Sequence, residues 1–156
     1  MPAPVPKIVL VAGAVSADRT IALERLLRRQ AQERGWGERL EIRMGGIGAG
    51  AGHISDAGAT ALRAHGIEAI DAICPDLERS RALFDGAEII VCDSGGAADA
   101  LVDWDETEQA EFVSLDELTD TDGEQEPGER AIGADVDEFA ALAPEVLRRL
   151  IAVGSD

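Results

Sequence analysis

The sequence has no tyrosine, one lysine (Lys7), two histidines and two cysteines among its 156 residues. Cys74 and Cys92 are isolated thiols without C-x-x-C spacing, so neither a disulfide framework nor a zinc site is indicated, no metal or cofactor is expected, and both read as buried small hydrophobes of a reducing compartment. The chain also lacks a long apolar run near its start. The opening residues MPAPVPKIVLVAG carry one positive charge, are too short in apolar length to span a bilayer, and show no small-residue cleavage pattern, which makes a cytoplasmic location the expectation.

Positive charge is scarce, and its scarcity is local. Against 31 acids stand 14 Lys and Arg, a net charge of -17. Residues 1–102 hold 14 acids and 11 basic residues, whereas residues 103–145 hold 16 acids and Arg130 alone. Such a segment repels polyanions, which argues against nucleic acid and anionic membrane as partners. A solvated surface is the plainer account of it, and a basic protein surface is the partner class it would suit. The preference for Arg over Lys fits a GC-rich genome and a salty cytoplasm equally well.

With 46% hydrophobic residues, the chain is long enough for one domain over residues 1–156 to bury a substantial core. Lys7 to Val11 reads as a buried strand running into a turn at Ala12-Gly13. A helix follows from Arg19 to Arg34, with Ala22, Leu23, Leu26 and Leu27 on one face and Ser16 or Asp18 as its cap. Leu40 to Met44 reads as a second strand, Gly45 to Gly52 as a loop, and Asp56 to His65 as a helix capped by Ser55 and ended by Gly66. Further on come a short helix (Glu78 to Phe84), a third strand (Glu88 to Cys92), a helix (Ala97 to Trp104) and a weaker strand (Glu111 to Ser114). Residues 115–134 are acidic and turn-rich, and read as a long surface loop. The closing helix is expected from about Val136 to Val153, with Pro144 predicting a kink or break. Strands alternating with helices imply an α/β fold with a parallel sheet covered on both faces, and the turn after the first strand is the first place to seek a ligand.

That turn is the informative part. The strand KIVLV, the turn AGAVSADRT and the helix after it resemble the phosphate-binding loop of the low-molecular-weight protein tyrosine phosphatases, whose signature is Cys-x5-Arg-Ser/Thr between a strand and a helix. Three later segments extend the resemblance: MGGIGA is similar to the family's Ser-Ala-Gly-Thr segment, HISDAGATALRAHGIEA to its His-Pro-x-Asp run, and ERSRALFDGAEIIVCDSG to its helix and strand ending in an Asp, here Asp93. The likeness covers about residues 7–104. It implies a single doubly wound domain with a four-stranded parallel sheet in the order 2-1-3-4, and an anion-binding turn formed by Gly13, Ala14, Val15, Ser16, Arg19 and Thr20.

The chemistry of that family requires a thiolate nucleophile, backbone N–H groups and an Arg around the phosphoryl oxygens, and a general-acid Asp in an Asp-Pro loop. Arg19 and Thr20 match the end of the signature, but the nucleophile position falls on Gly13, or on Ala12 if the loop carries one extra residue. Neither side chain is nucleophilic. Ser16 is a hydroxyl in the turn with no neighbouring base and reads as a cap before a catalyst. Asp18 beside Arg19 is expected either to neutralise it or to cap the helix. Glu126-Pro127 stands where the family has Asp-Pro, followed by Gly128 in place of an aromatic residue. His53 lies in a glycine-rich loop and His65 at a helix end, so neither is expected to assist.

These departures imply a pseudophosphatase that binds an unknown protein partner or a small oxyanion without turnover. The alternative is an active phosphatase, acting on phosphotyrosine or a small phosphate ester with a non-standard nucleophile. A third reading is a nucleotide-binding module: Gly46-Ile47-Gly48-Ala49-Gly50-Ala51 satisfies G-x-G-x-x-A after a strand, with Glu68 or Asp71 as the ribose-binding acid.

Overall fold

A computed structural model describes residues 6–115 and 132–152. Its centre is β1 (Lys7–Gly13), flanked by β2 (Leu40–Gly46) and β5 (Ala87–Cys92), with β6 (Glu111–Ser114) beyond β5. The order is β2-β1-β5-β6 and every pairing is parallel, which over these four strands is the expected order 2-1-3-4.

Central strands of a parallel sheet are buried on both faces, so both sets of alternating residues are apolar. Val9, Val11, Ile89 and Val91 face α1 (Ala17–Glu33), α2 (Asp56–Arg63) and α4 (Ile132–Ala152), where they join Ile21, Leu27, Leu62, Phe139 and Leu147. Leu10, Ala12, Ile90 and Cys92 face the other way, against Leu77, Phe84 and α3 (Gly95–Leu101). The sheet is thus doubly wound, and the carboxyl ends of β1 and β5 open between the two layers.

Several boundaries differ from the sequence expectation for identifiable reasons. α1 starts at Ala17, because Ser16 supplies the cap by accepting the Arg19 N–H. Ser94 does the same for α3 through the Ala97 N–H, so that helix starts at Gly95 and stops at Leu101. α2 ends at Arg63, and Gly66, at φ 79°, turns the chain in the left-handed conformation that glycine adopts without steric cost. Of the expected helix at 78–84 only a 3-10 turn forms, over Arg81–Phe84. The stretch Gly45 to Gly52 is not one loop: it ends β2, forms a 3-10 turn at Gly48–Gly50 and starts β3 (Gly52–His53), which pairs antiparallel with β4 (Ile73–Cys74). Strands of two residues are too short for alternation to reveal. α4 begins at Ile132, so residues 132–134 are helical and not loop, and it runs as one helix past Pro144. Leu115, the first residue of the expected loop, is buried. The remainder of that loop, with Glu126, Pro127 and Gly128, lies outside the described residues. Among the described residues no helix is long and apolar enough to cross a membrane.

Candidate functional site

The turn between β1 and α1 consists of Ala14, Val15 and Ser16. Its floor is packed backbone to backbone. A Cβ on Gly50 would stand 2.0 Å from the Gly13 carbonyl oxygen, and one on Gly46 would stand 2.1 Å from Gly50. The Ile47 N–H donates to the Gly13 carbonyl at 2.9 Å, and the Gly46 N–H to the Pro75 carbonyl at 2.8 Å. Gly46 and Gly50 are therefore spent on close approach to neighbouring backbone, whereas Gly48, at φ 56° with open space around its Cα, serves the turn. They do not open a helix, since β3 and the cap residue Ser55 intervene before α2. Glu68 forms an exposed pair with Arg63, and Asp71 is exposed.

The two positions open to a nucleophile point in different directions. Ala12 is fully buried in the layer that faces α3, in register with Cys92. Gly13 lies under Thr20: a Cβ there would meet the Thr20 hydroxyl oxygen at 2.0 Å. That hydroxyl donates toward the carbonyls of Ser16 (3.1 Å) and Gly50 (2.9 Å). Thr20 thus seals the base of the turn against the glycine-rich segment.

Arg19 is 5% exposed, and its guanidinium is surrounded by protein groups. Nε donates to Asp93 Oδ2 at 3.1 Å, Nη2 to the Asp93 carbonyl at 2.8 Å, and Nη1 lies 3.0 Å from Asp135 Oδ1. The plane is covered by the Phe139 ring, 4.9 Å from its centroid. Asp93 and Asp135 are 1% and 2% exposed, so one buried cation faces two buried carboxylates. Burial raises the Asp93 carboxyl above its ordinary range, while the charge and hydrogen bond of Arg19 pull it back. The Ala14 N–H and the Ser94 hydroxyl also face this carboxylate and pull in the same direction as Arg19, although neither reaches Oδ1 at full hydrogen-bond geometry.

The sequence expectation gave Asp18 the role of neutralising Arg19 or capping its own helix. The structure gives it neither. Its Oδ1 accepts the Ser55 N–H at 2.7 Å and its Oδ2 accepts the Ser55 hydroxyl, so Asp18 holds the start of α2, where Ser55 in turn accepts the Gly58 N–H. The neutralising carboxylates are Asp93 and Asp135. Asp135 escaped the sequence reading because it is one of sixteen acids in its stretch, and Phe139 because an aromatic on an apolar helix face reads as core. Their spacing of four on one helix was the available signal, since i and i+4 share a face.

Remaining nucleophile and base candidates are occupied or remote. Ser16 Oγ accepts the Arg19 N–H as a helix cap. His53 is exposed on β3, and His65 meets Asp137 at 2.8 Å on the far side of α1. The Cys74 thiol is pushed up to about 12 by burial and by the charges of Glu24 and Asp93, so it stays protonated at neutral pH. Glu24 is itself fully buried, paired with Arg25 and Arg28. Among the described residues no group of three or more His, Cys, Asp or Glu is placed to hold a metal ion.

No family model and no curated protein matches the chain. Solved structures do. A low-molecular-weight protein tyrosine phosphatase from T. tengcongensis superposes with a TM-score of 0.70 at 17% identity, over 92% of this chain and 99% of that one. The arginine phosphatase YwlE from Geobacillus stearothermophilus gives 0.68 at 20% identity, over 97% and 99%. A low-molecular-weight phosphotyrosine phosphatase from Vibrio cholerae O395 gives 0.73 at 15% identity, over 96% and 99%. At these identities the likeness is one of fold: the chain has the α/β fold of the low-molecular-weight protein tyrosine phosphatases.

Proposed function

We propose that this chain is a pseudophosphatase, a non-catalytic protein with the phosphatase fold that binds a partner and does not turn over phosphate esters. The observation that carries this reading is the enclosure of Arg19 by Asp93 and Asp135. A guanidinium that already faces two carboxylates offers little net attraction to a phosphate dianion, and the second carboxylate adds repulsion. The rest of the turn supports it. Gly13 and Ala12 provide no nucleophile, Ser16 serves as a cap, and the buried Cys74 thiol is protonated at neutral pH. The acidic stretch 103–145 favours a basic protein surface over nucleic acid or anionic membrane as the partner.

The test is hydrolysis of an aryl phosphate by wild-type protein beside Ala12→Cys and Gly13→Cys. Wild-type protein is expected to give no turnover above background, because removal of a covalent nucleophile leaves only weak binding and electrostatic effects. Turnover that survives stringent purification overturns the reading and turns attention to Ser16→Ala. That alternative, an active phosphatase with an unusual nucleophile, gains nothing from the hydrogen bonding of Ser16. The nucleotide-binding alternative is weakened, since Gly46 is packed against protein backbone and the stretch does not open a helix.

A further inference from the structure

We infer that Asp135 is an intramolecular stand-in for an oxyanion, closing a subsite on Arg19 that becomes available to inorganic phosphate once this carboxylate is withdrawn. The inference rests on the reading of the turn given above and adds to it the identity of the group that blocks the turn.

The two carboxylates engage Arg19 differently. Asp93 follows directly from β5 and takes two donors, Nε through its side chain and Nη2 through its backbone carbonyl. It is part of the frame. Asp135 meets Nη1 through Oδ1 and comes from the first turn of α4. A carboxylate in the first turn of a helix is favoured by the helix dipole, and Phe139, one turn on, lies over the same guanidinium. α4 therefore presents a carboxylate and a ring at i and i+4 as a two-point clamp on Arg19. A guanidinium has a fork of donors suited to planar or tetrahedral oxyanions, so the Asp135 oxygen fills a position that a phosphate oxygen can fill.

The charge count fixes the direction of the effect. With both carboxylates ionised the buried cluster carries one net negative charge. Removal of the Asp135 charge brings it to neutrality, and an entering anion then no longer meets the carboxylate that competes for Nη1. A group tethered to the fold competes with an effective concentration of about millimolar or more, so wild-type protein is closed to dilute phosphate.

The experiment compares phosphate binding by calorimetry and thermal shift for wild type, Asp135→Ser, Asp135→Asn and Asp135→Ser/Arg19→Lys, each checked for a cooperative melt. Asp135→Ser empties the position and Asp135→Asn removes the charge at constant size. Wild type is expected to bind weakly or not at all below about 10 mM phosphate, and Asp135→Ser at least about tenfold more tightly, with the gain lost on Arg19→Lys; Asp135→Asn, whose amide oxygen still fills the position, is expected to gain less than Asp135→Ser. A folded Asp135→Ser that binds no better than wild type overturns the inference, as does a gain that survives Arg19→Lys. Should Asp135→Ser fail to fold, the Arg19 Nε–H resonance of wild-type protein decides: a shift saturating below millimolar phosphate means the subsite is open and Asp135 does not close it, and an unmoved resonance at such concentrations supports closure. Aryl phosphate turnover is followed on the same samples. Turnover by wild type sinks the non-catalytic reading whatever the variants bind, and absence of turnover leaves the Asp135 comparison to stand or fall on binding alone.

Discussion

Cys74 sits where its protonation becomes a stability reporter for the whole domain. The chain has no tyrosine and one lysine, so few other groups change charge between about pH 8.5 and 12. In the folded state burial and the neighbouring Glu24 and Asp93 hold the thiol up to about 12, whereas in the unfolded chain it titrates near 8.5. The folded state then retains a proton that the unfolded state releases, so the stabilisation is complete below about pH 8.5 and is lost as pH rises toward the folded value. Urea midpoints measured across this range are expected to fall, and the fall to be shallower in Cys74→Ala. An identical slope in that variant would remove Cys74 from the account. Iodoacetamide at pH 8 is likewise expected to leave Cys74 unmodified in the native protein and to modify it in urea.

Two helices owe their starting points to each other. Asp18, in the first turn of α1, accepts both the N–H and the hydroxyl of Ser55, the cap of α2, so one carboxylate lies near two helix N-termini at once. Asp18→Ala and Ser55→Ala are each expected to cost about 1–2 kcal/mol, the range for lost caps and charge-assisted hydrogen bonds. The double variant is expected to cost clearly less than the sum, because both remove the same contact; additive urea-unfolding energies would show that the two residues act separately. This contact also marks the limit of what the sequence conveys. The four strands of the main sheet and the caps Ser16 and Ser55 were legible, because apolar periodicity and local capping are written in neighbouring residues; the strand order and the place of Arg19 came from the resemblance to the phosphatase family. The partners of Asp18 and Arg19 were not legible, since they lie 37, 74 and 116 residues away and nothing local distinguishes Asp135 from the acids around it. The glycine-rich stretch misled for a related reason: its residues fit a phosphate cradle and a close backbone approach equally well, and only the position of Gly13 decides between them.

Across the molecule, repulsion among 31 acids opposed by 14 basic residues outweighs the exposed ion pairs. Pairs such as Arg29–Glu33, Arg63–Glu68 and Arg148–Glu145 are surface contacts of a kind worth about 0–1 kcal/mol each, and salt weakens them. Salt also screens the net charge of -17, over a Debye length of about 10 Å at 0.1 M. The second effect is the larger, so the urea midpoint is expected to rise between low and moderate sodium chloride; a fall would mean that specific pairing dominates. The seal that Thr20 makes over Gly13 limits what can be placed there. The Thr20 hydroxyl occupies the space that a Cβ at position 13 would need and donates toward two carbonyls. A cysteine arriving at position 13 displaces Thr20 before it can do any chemistry, and overpacking of this sort typically costs about 1–3 kcal/mol. A thiol at position 13 is therefore contingent on order, with relaxation at position 20 first and the cysteine second.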